Sequence, residues 1–390
     1  MTKYLTVKDI NIYKQRILLR ADLNVPILNN TIIDDYRLHA ILPTIDYLLH
    51  QQTHIVLITH LGKPKGIEKS LSTHILVPWF QNKGYSITFA PDINTAYQLS
   101  QEKINRIVLV ENLRFFAGEQ QSDSTFAQQL ATLGDIFVND AFGTLHRNDS
   151  SIVLTPSCFA KNKRCIGLLV AKELSELEKL FFPKKPFTLI LGGGKPKTKI
   201  PLIINLLDKT DYVLLCPALA FTFLAAQDIP VGASLIDSTL FNDCLEIIKK
   251  TKQTRTQLIF PMDYMVSKNK LNPPYRTITI HNFESFDSGV SIGPKTIEDW
   301  EPIINKSKTI FFNGLMGDLS IPESTSSSME LFKVITQSNG FSVIAGGDSV
   351  AAAIKGGFEK KISYLSTGGG ATLAYLAGQE LPGLNALRAN

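Results

Sequence analysis

Ten short apolar runs punctuate the chain. QRILLRADLNV, THIVLITHLG, RIVLVENLRF and GDIFVNDAFG come first, then PFTLILGGG, DYVLLC, QLIFPMDY, TIFFNGLMG, FSVIAGGD and ISYLSTGGG. Amphipathic segments such as DDYRLHAILPTIDYLLHQ and STFAQQLATLG lie between most of them. Strands this uniformly apolar are buried on both faces, and their alternation with helices is the mark of parallel sheets. About ten strands exceed one compact sheet of common size. The expected fold is therefore α/β, with two doubly wound Rossmann-like parallel-sheet domains. AKELSELEKLFF followed by PKKP is the expected helical connector. The domains are placed at 1–168 and 185–371, with the hinge at 169–184.

In open α/β sheets, ligands bind outside the carboxyl ends of the strands. In the first half those exits carry Asp22 and Asn24, then His60 and Lys63, then Glu111 and Arg114, then Asn139 and Asp140. Arg37 follows the first strand, and His146 and Arg147 follow the fourth. Arginine forks suit phosphate and carboxylate. In the second half the exits are glycine-rich: Gly192-Gly193-Gly194-Lys195, Asn313-Gly314, Gly346-Gly347-Asp348 and Gly368-Gly369-Gly370. A basic half and a glycine half suggest two anionic ligands and transfer of a group between them.

The junction ILGGGKPKTKIPLIINLL, from Ile190 to Leu207, is neither GxxxxGK[ST] nor GxGxxG, so it is not a P-loop or a dinucleotide fingerprint. Its Lys195, Lys197 and Lys199 stand where a helix starts. Cations are unfavourable at that end of a helix dipole unless an anion is present, which favours a ligand role for Lys195 and Lys199. Plainer readings exist for single members. An arginine or histidine after a strand is by default a solvated loop residue, Arg114 has Glu111 as an available partner, and glycines often mark turns.

Composition excludes several classes. A formal charge of +5 with no basic arm argues for anionic metabolites over nucleic acid. The apolar runs are too short and interrupted to span a membrane, and the start MTKYLTVKDI lacks a secretory pattern. Cys158, Cys165, Cys216 and Cys244 show no metal-ligand spacing, which fits a reduced, cytoplasmic setting.

The set RADLNVP, DDYRLHAILPTI, THLGKPKG, ENLRFF, FVNDAFGTLHR, GGGK, IGPKT, FFNGLMG, GGDS and STGGGATL…ELPGLNAL resembles phosphoglycerate kinase, in family order from Arg20 to Leu387. The resemblance implies two Rossmann-like domains joined by a helical hinge, with the tail 372–390 packing back onto the first. It implies a monomer and transfer between 1,3-bisphosphoglycerate and ADP, giving 3-phosphoglycerate and ATP with Mg²⁺. Asp22, Asn24, Arg37, His60, Arg114 and Arg147 match the family's 3-phosphoglycerate ligands. His146 also matches, and Lys63 replaces the usual arginine. Arg37, Lys195, Gly347 and Gly370 fall at catalytic positions. Lys195, Lys199, Ala218, Gly289, Val290, Asn313, Leu315, Ser320, Gly346, Gly347, Asp348 and Ser349 fall at nucleotide positions, with Asp348 as the metal ligand.

The nucleotide side departs from the family pattern. Pro196-Lys197-Thr198 follows GGGK where an acid is usual. Cys216-Pro217-Ala218 replaces three glycines, and their side chains are expected to narrow a slot built for close approach. Leu315 replaces a proline, Ser291 an aspartate, and Ser320 the glutamate that takes the ribose hydroxyls. Asp149 stands where many members have histidine. Three readings stay open: an active kinase with loosened nucleotide contacts, a phosphoglycerate-binding protein with little transfer, and a kinase using another phosphoryl partner. Lys195, Lys199 and Asp348 favour the first. Ser320 predicts that binding leans on phosphate, so that 2′-deoxy-ADP binds almost as well as ADP.

Overall fold

A strand apolar on both faces must lie inside a sheet, and β1 (Arg16–Ala21) does so. The computed structural model of the chain describes residues 4–102 and 106–388; the expected first domain and returning tail extend into 1–3, 103–105 and 389–390, outside the described residues. β1 is parallel to β4 (His54–Ile58) and β7 (Ile136–Asp140), with Leu19 opposite both Leu57 and Val138. A short antiparallel hairpin, β2 (Ile27–Leu28) and β3 (Thr31–Ile32), stands apart from this sheet. β5 (Ile87–Ala90), β6 (Ile107–Val110) and β8 (Arg164–Ile166) complete it in the order β5-β6-β4-β1-β7-β8. The helix Tyr36–His50 buries Leu38, Ile41, Ile45 and Leu48, spaced three and four apart. These pack on Ile17, Leu19, Ile55 and Leu57. Burial of such a side chain stabilises by about 1.5–3 kcal/mol.

The second sheet repeats the plan. β9 (Phe187–Leu191) is central, with Leu189 opposite Val213 of β10 (Tyr212–Leu215) and Phe311 of β15 (Thr309–Asn313). With β11 (Gln257–Ile259), β16 (Phe341–Ala345) and β17 (Tyr364–Ser366), the order is β11-β10-β9-β15-β16-β17. Beside it lies an antiparallel sheet of β12 (Asp263–Ser267), β13 (Arg276–Thr279) and β14 (Ser288–Ile292). Its Tyr264 and Val266 pack on Phe221, Leu224 and Val231. The run QLIFPMDY, read as one strand, is two: Pro261 separates β11 from β12, since proline cannot donate to a ladder.

The chain forms two compact units. The first runs to Ser175 and includes the stretch from Glu380 onward; the second is Glu176–Gln379. The returning stretch is fixed where the Gly383 N–H donates to the Leu145 carbonyl at 2.9 Å. A methyl on Gly383 would run into Leu145 and Ile152. No helix among the described residues is long and apolar enough to cross a membrane.

Candidate functional site

Parallel neighbours deliver their carboxyl ends to one edge. In the first sheet β6, β4, β1 and β7 are contiguous, so exits far apart in sequence meet there. Side chains tie the exit loops together. Asn24 Oδ1 accepts from the Gly62 N–H at 2.8 Å, and Thr59 Oγ1 from the Leu23 N–H at 3.1 Å. The Asn112 amide donates to the Leu61 and Leu71 carbonyls at 2.7 and 2.8 Å. Arg114 donates to the Gly62 carbonyl. It does not pair with Glu111, whose carboxylate accepts from Ser72, Thr73 and the Asn112 N–H. Its Nε is buried without a partner among the described residues.

Arg37 Nη1 lies 2.7 Å from Asp22 Oδ2. Burial works to raise the Asp22 carboxyl, but the Arg37 guanidinium, with Arg20 behind it, outweighs that and holds its pKa below the ordinary value. Arg20 is fully buried and points Nη2 at His60 Nδ1, 3.3 Å away. A guanidinium only donates, so Nδ1 must accept and the ring proton sits on Nε2. Burial, then Arg20, push the His60 pKa well below its usual value. His60 is thus a neutral N–H donor, not a cation. The Arg20 charge is balanced through Ser151, whose Oγ accepts from Arg20 Nε at 2.9 Å and donates to Glu119 at 2.6 Å. Burial raises the Glu119 pKa, against Arg20 and the Ser151 bonds. Glu119 and Ser151 carry no sequence motif, so the strand-exit reading missed them.

Asp149 accepts from Arg147 Nε at 2.7 Å, leaving the rest of that fork for other acceptors. Burial, then Arg147, lower the His146 pKa. Lys63 is exposed on the loop after β4. The edge therefore presents Arg37, Arg114 and Arg147, two neutral imidazoles and an exposed lysine, a set suited to a small molecule carrying carboxylate and phosphate.

In the second unit the Gly192–Gly194 turn has a packing reason. A Cβ on Gly192 would lie 2.5 Å from Cys216 Cβ, and one on Gly314 would lie 2.0 Å from the Gly192 carbonyl oxygen. The exits of β9 and β15 therefore pack backbone to backbone, with Gly314 at φ +106°. That contact presents Lys195 to an open pocket of about 600 Å³, shared with Lys199, Asn313, Leu315, Gly346–Ser349 and Gly370. Gly347 and Gly369 are different, since a Cβ on either would meet no atom within 4 Å. Their missing side chains leave room for a ligand.

Lys199 is buried, and burial followed by Lys195 lowers its ammonium pKa to about 8. Asn313 donates to the Ala345 carbonyl at 2.7 Å, while its Oδ1 is buried without a partner among the described residues. Ser349 Oγ accepts from the Gly314 N–H at 3.3 Å. Asp348 is an exposed carboxylate in the first turn of the helix Gly347–Lys355. One carboxylate beside a phosphate seat fits magnesium, which takes few protein ligands and completes its shell with phosphates and water.

Ala218, Gly289 and Val290 do not line that pocket. Ala218 has φ +69°, and a Cβ on Gly289 would overlap the Phe221 ring. Val290 is buried in β14. Cys216 and Pro217 are buried, with the Cys216 side chain packed under Gly192, and neither lines this pocket. The Ser320 N–H and hydroxyl both donate to Asp318, a pocket residue that the strand-exit reading did not name.

These features define a two-domain α/β protein with Rossmann-like parallel sheets and an anion-accepting edge on each. A family model described as phosphoglycerate kinase matches residues 7–379. The chain is 37% identical to the phosphoglycerate kinase of Chlamydia pneumoniae over 98% of each chain. It is also 37% identical to that of Dictyoglomus turgidum, again over 98% of each. The solved structure of phosphoglycerate kinase from Coxiella burnetii superposes with a TM-score of 0.84 at 30% identity, covering 99% of both chains. The chain belongs to the phosphoglycerate kinase family.

Proposed function

We propose that this protein transfers a phosphoryl group between 1,3-bisphosphoglycerate and ADP, giving 3-phosphoglycerate and ATP. Among the observations, the arginine and neutral-imidazole edge carries the reading furthest: in a chain of this family it offers forks for carboxylate and phosphate without a general base. None is required, because an acyl phosphate is already activated. An ADP β-phosphate oxygen attacks the acyl phosphorus, the bond from phosphorus to the carboxyl oxygen breaks, and the carboxylate leaves with the electron pair.

The chain's task is then positioning and charge neutralisation. Asp22, Asn24, His60, Arg114, His146 and Arg147 orient the acid, with Lys63 adding a mobile charge. Lys199, Asn313, Ser349 and the helix starts at Gly347 and Gly370 receive the nucleotide phosphates. Lys195 and Arg37 neutralise the moving group, an interaction strongest where water is excluded. Magnesium, when bound, would neutralise charge on the nucleotide phosphates, and Asp348 is the residue to hold it. We further infer a cytoplasmic monomer, in keeping with the family and with four cysteines that are free thiols.

Calorimetry tests the assignment of ligands to edges. Arg114→Ala or Arg147→Ala should weaken 3-phosphoglycerate binding by about 1.5–3 kcal/mol, the worth of a charged hydrogen bond. MgADP binding should barely change. Equal losses for both ligands would contradict the assignment.

A further inference from the structure

The second-unit pocket is chemically lopsided. One side holds Lys195, Lys199 and the open helix starts; the loop leaving β15 contributes Leu315, Gly317, Asp318 and Leu319. That loop places a carboxylate in a pocket otherwise arranged for anions. Asp348 has an evident use there, as above. Asp318 differs from it in being oriented.

Its backbone is locked, with the N–H donating to Ser324 Oγ at 2.8 Å and the carbonyl accepting from the Ile321 N–H at 2.9 Å. Its Oδ1 accepts from the Ser320 N–H at 2.8 Å and from the Ser320 hydroxyl at 2.7 Å. The other oxygen, Oδ2, takes no hydrogen bond from the described residues. Those two Ser320 bonds, side chain first, hold the Asp318 pKa below the ordinary value, so the group is anionic. Asp318 is exposed on the pocket wall, so Oδ2 is held in a fixed direction and is open to a donor on a bound ligand in exchange for water. Phosphates are repelled by it and offer none. In a nucleoside diphosphate the hydroxyl donors are those of the sugar, and Leu315 and Leu319 supply an apolar wall beside them.

Resting on the nucleotide reading above, we infer that Asp318 is the residue that reads the ribose, accepting hydroxyl hydrogen bonds through Oδ2, with Ser320 as the positioning residue. This revises the expectation drawn from Ser320 alone. That serine does not leave the sugar unread; it is committed to orienting a carboxylate two residues earlier.

The test is titration of the full chain with ADP, 2′,3′-dideoxy-ADP and inorganic pyrophosphate, each with magnesium. The unmodified protein should prefer ADP over the dideoxy form by about tenfold to a hundredfold, the worth of a charge-assisted hydrogen bond. Asp318→Ala should lose that preference and keep its pyrophosphate affinity. Asp318→Asn, which preserves shape, should lose most of it, and Ser320→Ala part of it. No preference in the unmodified protein, or a preference that survives both Asp318 variants, overturns the inference while ADP binding itself upholds the nucleotide reading. Binding of pyrophosphate without ADP overturns both.

Discussion

Lys199 shows how far a single residue's chemistry can be moved by its place. A lysine that titrates near 10.5 when solvated is held at about 8 by burial and by Lys195. Without ligand, the unfolded chain binds more protons than the native one between those two values, so this group makes stability rise with pH across that window. A polyphosphate beside Lys199 favours the charged form. MgADP binding at about pH 8.5 should therefore take up protons, and affinity should fall as pH rises further. Calorimetry in buffers of different ionisation heat measures the uptake, and Lys199→Arg, which stays charged, should abolish it. Binding without proton uptake would place the phosphates away from Lys199. His60 is the counter-case: Arg20 fixes it as a neutral donor, so it contributes a directed hydrogen bond and no charge.

At the scale of elements, glycines at strand exits separate into two kinds. Gly314 is required by the protein, since a methyl there would strike the Gly192 carbonyl at φ +106°. Gly314→Ala should cost about 3 kcal/mol or more from strain and overpacking. Gly347 faces open space, so Gly347→Ala should leave stability within about 0.5 kcal/mol and weaken nucleotide binding instead. Denaturant melts and titrations of the two variants distinguish these outcomes; a destabilised Gly347→Ala with unchanged binding would reverse the assignment. Asp140, at the end of β7, couples that strand to two helices, accepting from the Val170 N–H of Leu168–Glu178 at 2.9 Å and from the Thr44 hydroxyl of Tyr36–His50 at 2.5 Å. Burial raises its pKa from 3.8 to about 7. The native state then binds more protons than the unfolded one between about pH 4 and 7, so this group makes stability fall as pH rises there. Asp140→Asn should remove that slope from a series of denaturant melts; an unchanged slope would mean that Asp140 is ionised throughout. Most strands read from sequence are buried on both faces, such as β1, β7, β9 and β15. β13 was not legible because Arg276, Thr277 and Thr279 face solvent and only Ile278 is buried. β5 was not legible because its middle residues, Thr88 and Phe89, are only half-buried, so no continuous apolar run marks it.

For the whole molecule, the grouping of strand exits was legible because a parallel sheet brings every exit to one side, so polar residues after apolar runs meet at one edge of each sheet. What supports them was not. Glu119 and Ser151 reach Arg20 through folding alone, and Asp318 gains its meaning from Ser320 and the pocket around it. The departures at Cys216 and Pro217 looked like obstruction in sequence, yet both are absorbed into the interior. The proposed reaction is direct phosphoryl transfer from acyl phosphate to ADP, with Lys195 proposed to act on the group in flight. The most direct measurement is steady-state turnover of 3-phosphoglycerate with MgATP, coupled to consumption of the acyl phosphate, for the unmodified protein and Lys195→Ala. The unmodified protein should turn over readily, and Lys195→Ala should lower kcat by about 10²-fold or more with much smaller changes in KM, as for a contact made mainly in the transition state. Absence of turnover in the unmodified protein, or a near-normal kcat in Lys195→Ala, would contradict this proposal.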